Sequence, residues 1–174
     1  MLGGIRSGKS GWAEIAIAET LTPDESVHYL ATAAAAANDQ EWSQRVADHR
    51  RRRPAHWSAQ ETSDVPTCLR QSPDTPTLVD DVGGWLTTTL DRRGAWQHGS
   101  VCADVDDLVD AVTAFRAPLI LVSPEVGLTV VPATASGRRF ADELGTLNQR
   151  LADVCERVVL IVAGQPVSIK PSRS

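Results

Sequence analysis

Residues 3–10 read GGIRSGKS, a fit to G-x-x-x-x-G-K-[ST], and no other stretch narrows the fold so far. In such a loop successive backbone N–H groups turn inward around phosphate oxygens. Gly3, Gly4 and Gly8 permit the backbone angles and close approach this needs, with Ile5, Arg6 and Ser7 completing the cradle. The Lys9 ammonium can reach β- and γ-phosphates, and the Ser10 hydroxyl can ligate Mg²⁺. A helix should follow: GWAEIAIAET at 11–20 has the Ala, Ile and Glu content for one, ended near Pro23. Its N-terminus would turn the positive dipole end toward the phosphates. A strand should precede the loop, yet only Met1 and Leu2 stand before Gly3. That strand is therefore expected to be truncated, by a misplaced start codon or a real clipping. The apolar neighbours and backbone of a central strand would then be exposed.

Further along, VHYLAT at 27–32 reads as a buried strand. Alanines at 33–37 and a cap at Asn38 or Asp39 lead into a helix ended by Pro54, with Arg45 and His49 on one face. Residues 64–76 hold three prolines and read as loop with at most one helical turn. TPTLVDD at 75–81 is a short buried strand that delivers Asp80 at its C-terminal edge, where a phosphate loop needs a magnesium-side carboxylate. A helix over 85–90, a loop over 94–100 carrying an exposed His98, and an amphipathic helix over 104–115 follow. PLILVS at 118–123 is another strand, 138–156 a long helix with Phe140, Leu144, Leu147, Leu151 and Val154 on one face, and 158–162 a last strand. Uniformly apolar strands alternating with helices predict an α/β, P-loop NTPase-like fold. Its sheet is mainly parallel with helices on both faces, built as one nucleotide-binding domain over 1–174.

Composition closes other routes. No apolar run approaches the ~20 residues of a membrane helix, and the start lacks the plan of a signal peptide, so a cytoplasmic protein is expected. Cys68, Cys102 and Cys155 show no CxxC spacing and read as reduced, small buried residues. A net charge of −5 argues against a nucleic-acid binder. Against that acidity stands HRRRRP at 49–54, which on residue types alone is a solvated face, an RNA patch or a clamp for something highly charged. The RNA reading needs a wider basic face than this chain supplies.

Taken together, GGIRSGKS at 3–10, YLATA at 29–33, DQEWSQRVADHRRRRPAHW at 39–57, LVDD at 78–81, PEVGLTVVP at 124–132 and RRFADELGTLNQRLA at 138–152 resemble one family. It is the bifunctional adenosylcobinamide kinase / adenosylcobinamide-phosphate guanylyltransferase family of cobalamin biosynthesis, and the likeness runs over essentially the whole chain.

The resemblance implies two reactions on a corrinoid substrate. ATP or GTP phosphorylates the primary hydroxyl of the aminopropanol arm. GTP then guanylylates an enzyme histidine, and GMP passes on to give adenosylcobinamide-GDP. By the HRRRRP match that histidine is His49, with Arg50, Arg51, Arg52 and Arg53 offsetting the triphosphate's charge. Lys9 and Ser10 would serve phosphates and Mg²⁺, Asp80 the metal or nucleotide, and Ala31, Thr32, Ala33 and Glu61 the guanine nucleotide. Glu125, Asn148 and Gln149 match motif positions with no step assigned. His56 reads as structural and His28 as a packed core residue. The resemblance further suggests a homotrimer. Three features depart from the family pattern: Pro124 where asparagine is common, Thr129 where glycine is usual, and Gly83 and Gly84 at a helix start. They keep two alternatives in view, a P-loop small-molecule kinase without a covalent intermediate and a nucleotide binder that has lost catalysis.

Overall fold

The structure, a computed structural model, describes residues 1–22, 24–32 and 54–171. Along the chain these form β1 (Leu2–Gly3), α1 (Lys9–Ala18), β2 (His28–Ala31), β3 (Ser58–Glu61), α2 (Val65–Gln71) and β4 (Thr77–Asp80). Then come α3 (Val82–Arg93), α4 (Cys102–Thr113), β5 (Leu119–Pro124), α5 (Ala135–Val154), β6 (Val158–Val162) and β7 (Gln165–Lys170). The strands make one seven-stranded sheet in the order β3-β2-β4-β5-β1-β6-β7. Every pairing is parallel except β6 with β7. The α/β, mainly parallel expectation holds.

The pleat explains why these strands read as unbroken apolar runs. Successive side chains point to opposite faces. Tyr29, Leu78 and Val122 pack with Ala13 and Ile17 of α1 on one face. Leu30, Val79 and Leu121 pack on the other with Val65 and Leu69 of α2, Trp85, Leu86 and Leu90 of α3, Leu108 of α4, and Leu144, Leu147 and Leu151 of α5. With both faces covered, side chains pointing either way from β2, β4 and β5 are buried. Full burial of a Leu or Val side chain contributes about 1.5–3 kcal/mol before chain entropy is set against it.

Strand β1 holds only two residues, yet it occupies the middle of the sheet. Leu2 is in register with Ser123 and Leu160, and Gly3 with Pro124 and Ile161. The ladder runs past both ends: Met1 N donates to Leu121 O (2.8 Å), Ser123 N to Met1 O (2.9 Å) and Glu125 N to Gly3 O (3.0 Å). The expected exposure of its neighbours does not occur, since Leu121, Val122, Val158, Val159 and Ile161 are all buried.

Several local expectations change. Residues 64–76 carry a true two-turn helix, α2, because Asp64 caps it by accepting from Thr67 N (3.3 Å) and Pro66 lies in its first turn, where no N–H is missed. Strands β3 and β7 were not expected; β3 is exposed along its whole length and β7 along all but its last residue, so neither carries an apolar signature. His28 is half-buried beside Gln60 Oε1 (3.1 Å), not packed in a core. Of the cysteines only Cys68 is buried; Cys102 is exposed. Among the described residues no helix is long and apolar enough to cross a membrane.

Candidate active site

The phosphate loop joins β1 to α1 at the C-terminal edge of the sheet. Two of its residues, Arg6 (φ 56°) and Gly8 (φ 91°), are left-handed, and Gly8 caps α1. A side chain at Gly8 would be strained by that angle. At Gly3 the limit is space: a Cβ there would collide with Ser7 Oγ and come within 3.0 Å of Ile161 O. The loop is tethered from outside by Gly164 N, which donates to Ser7 O (3.0 Å). Ser7 Oγ is itself buried and lacks a hydrogen-bond partner among the described residues. Ile5 and Gly4 are exposed at the loop's crown, and Lys9 Nζ folds back to Gly4 O (3.4 Å).

From the far side of β5, strand β4 brings the carboxylate. Ser10 Oγ donates to Asp80 Oδ1 (3.2 Å), a bond across 70 residues of sequence. Tyr29 OH donates to Asp80 Oδ2 (2.5 Å) from the neighbouring strand. Asp81 turns away: its carboxylate caps α3 by accepting from Gly84 N (2.5 Å). Burial pushes the Asp81 carboxyl above the ordinary range, the Gly84 N–H pulls it back, and the neighbouring negative charge of Asp80 adds to the rise. The two adjacent acids are thus placed differently, one facing the phosphate loop and one capping the start of α3.

The other expected site residues fall into place in different ways. Ala31 is in register with both Asp80 and Glu61, so these three form one row along the C-terminal edge. Thr32 is buried and pins the backbone of the acidic pair: its N–H donates to Asp80 O (3.0 Å), and its hydroxyl accepts from Asp81 N (3.0 Å) and donates to Asp81 O. Ala33, His49, Arg50, Arg51, Arg52 and Arg53 lie outside the described residues, as does the helix expected ahead of Pro54. Among the described residues no group of three or more His, Cys, Asp or Glu gathers as a metal cluster.

Two of the departures, Pro124 and Gly83, turn out to be connected. A Cβ on Gly83 would meet Pro124 Cγ at 2.8 Å and Cδ at 3.0 Å, so the proline ring fills the space a side chain at 83 would take. The Asp81 cap offsets the weak helix formers at the start of α3. Thr129 has no left-handed backbone angle and donates to Val126 O (3.0 Å). Around it Leu128, Val130 and Val131 are 77%, 91% and 74% exposed, an apolar rim on the loop that leaves β5 beside Gly3.

Tyr29 is a residue of the candidate site that the sequence did not announce. An aromatic inside a strand reads as core, and nothing in VHYLAT announces a partner 51 residues away. A hydrogen bond to a charged group is worth about 1.5–3 kcal/mol, and this one fixes which oxygen of Asp80 faces Ser10. Tyr29→Phe keeps the packing and should weaken binding of a magnesium–triphosphate analogue by roughly tenfold. Calorimetric titration checks this; unchanged affinity would mean that the tyrosine does not orient the carboxylate.

Comparison with known proteins gives one answer. The family model for cobinamide kinase / cobinamide phosphate guanyltransferase (CobU) matches residues 1–169. The chain is 39% identical over 180 residues to the bifunctional adenosylcobalamin biosynthesis protein CobP of Pseudomonas aeruginosa, spanning 98% of this chain and 95% of that one. It is 33% identical to CobU of Salmonella typhimurium and 32% identical to CobU of Escherichia coli, each over 181 residues and 97% of both chains.

Proposed function

From the premise that this chain belongs to the cobinamide kinase / cobinamide phosphate guanyltransferase family, we propose that it carries out both reactions on adenosylcobinamide. The single observation that carries the kinase half is the Ser10–Asp80 bond, which closes a phosphate loop against a strand-end carboxylate. ATP or GTP lies with its phosphates over the loop N–H groups and the N-terminus of α1. Lys9 swings from the Gly4 carbonyl to the β- and γ-phosphates. The primary hydroxyl of the aminopropanol arm attacks the γ-phosphorus, the bond to the bridging oxygen breaks, and ADP or GDP leaves. Ser10 and Asp80 are the residues that would hold Mg²⁺, which supplies neutralisation of phosphate charge. One carboxylate and one hydroxyl suit that ion, since it commonly relies on few protein ligands together with substrate phosphates and water. The orphaned Ser7 hydroxyl supports the same reading, because a bound phosphate would satisfy it.

In the second half, His49 attacks the α-phosphorus of GTP through a neutral imidazole nitrogen and pyrophosphate leaves. A phosphate oxygen of adenosylcobinamide phosphate then attacks the same phosphorus, the P–N bond breaks, and adenosylcobinamide-GDP forms with His49 restored. Arg50, Arg51, Arg52 and Arg53 offset the triphosphate's charge and disfavour protonation of the imidazole. Support comes from the HRRRRP stretch and the family match over it. Ala31, Thr32, Ala33 and Glu61 border the guanine nucleotide, and the apolar rim at Leu128, Val130 and Val131 suits a bulky corrinoid. The protein acts in the cytoplasm as a homotrimer of single-domain chains.

The test supplies adenosylcobinamide, Mg²⁺ and a triphosphate labelled at the γ-phosphorus. Labelled adenosylcobinamide phosphate is expected, and its conversion to the GDP derivative once GTP is added. A chain that binds triphosphate yet forms neither product is a degenerate nucleotide binder. One that forms only the first is a simple kinase.

A further inference from the structure

Strand order gives β5 a special place. It lies between β1, which leads into the phosphate loop, and β4, which carries Asp80. Val122 is in register with Asp80, and Ser123 and Pro124 with Leu2 and Gly3. The tip of β5 is thus a wedge: Glu125 N holds Gly3 O at 3.0 Å, while the Pro124 ring fills the space beside Gly83 at the start of α3. Its position sets how far Lys9 and Ser10 stand from the carboxylate.

One side chain grips that tip from behind. Asn148 projects from α5 among Leu144, Leu147 and Leu151, and is 9% exposed. Ser123 Oγ donates to Asn148 Oδ1 (2.6 Å), and Asn148 Nδ2 donates to Pro124 O (3.0 Å). The carbonyl can only accept, so the amide nitrogen must face it and the oxygen is left for the hydroxyl. On an apolar helix face this amide has a directional bond at each end, and both ends belong to the wedge.

We propose that Asn148 is a positioning residue for the triphosphate site, its amide clamping Ser123 and Pro124 so that β5 holds the phosphate loop and Asp80 at working distance. The assignment rests on reading that site as the one that binds triphosphate. It gives a role to a motif position that the two reactions leave without one.

Three variants of the full chain test it: Asn148→Asp, which cannot donate to the carbonyl; Asn148→Leu, which packs on the helix face without either bond; and Ser123→Ala, which spares the carbonyl bond. Amide exchange without ligand should quicken about tenfold in peptides spanning 2–8 and 123–128 for both Asn148 variants, with the β4 core unchanged. The Kd of a magnesium-bound, non-hydrolysable triphosphate should rise about tenfold in both, and less than about threefold in Ser123→Ala. Exchange that quickens evenly across the sheet or not at all, or affinity within about twofold of wild type in both Asn148 variants, overturns the assignment. Wild-type phosphorylation of adenosylcobinamide is measured alongside. Its failure with nucleotide binding intact defeats the kinase reading and leaves the clamp standing.

Discussion

A His49→Ala chain is expected to take up no label from GTP marked at the α-phosphorus, while the wild type retains one that is lost in acid and survives alkali. That stability pattern belongs to a phosphorus–nitrogen bond and excludes a serine or tyrosine ester. Removing the nucleophile of a two-step transfer closes the covalent route, so formation of the GDP derivative should fall by at least a thousandfold or so. Phosphorylation of the alcohol should continue near the wild-type rate, because the loop, Ser10 and Asp80 are untouched. Label persisting in the variant would move the nucleophile elsewhere. Its absence from a wild type that binds GTP would remove the covalent mechanism altogether.

Lys9→Ala should do the reverse. In the proposed kinase step the ammonium swings from Gly4 O to the phosphates, and removing one such donor costs roughly 10²–10³ in turnover. The fold should tolerate it: among the described residues Lys9 makes one long bond, 3.4 Å to Gly4 O, and surface changes of this kind stay within about 0.5 kcal/mol. Steady-state phosphorylation and a thermal melt measured on the same preparation check both parts. A large fall in melting temperature would show the lysine to be structural, and unchanged turnover would take it out of phosphoryl transfer.

How much of this could be read beforehand follows from where each signal resides. The loop, α1 and Asp80 were legible because each is local: eight residues specify the cradle, and a short apolar run ending in acid specifies the strand end. The sheet was legible because β2, β4 and β5 are buried on both faces and show it as unbroken apolar runs. Strand β3, SAQE, could not be read that way, since its side chains are all exposed and it owes its conformation to pairing with β2. Helix α2 was hidden by Pro66, which reads as a breaker until the Asp64 cap places it in the first turn. The contacts of Tyr29 and of Asn148, a motif position without a step, were illegible for one reason: their partners lie 51 and about 25 residues away, and only the fold brings them together.

The central seat of the two-residue β1 also constrains the order in which this protein can be made. Its hydrogen-bonding partners are β5 and β6, which begin at Leu119 and Val158. The residues that cradle phosphate are made well before β5 and β6, and until those strands emerge they have none to lie against. Pairings this distant in sequence are slow to form, and an unpaired strand edge invites association with other chains in the meantime. Nucleotide capture thus waits for β5 and β6 to be made. A ribosome-bound fragment ending before β5 has the phosphate-binding sequence and no site.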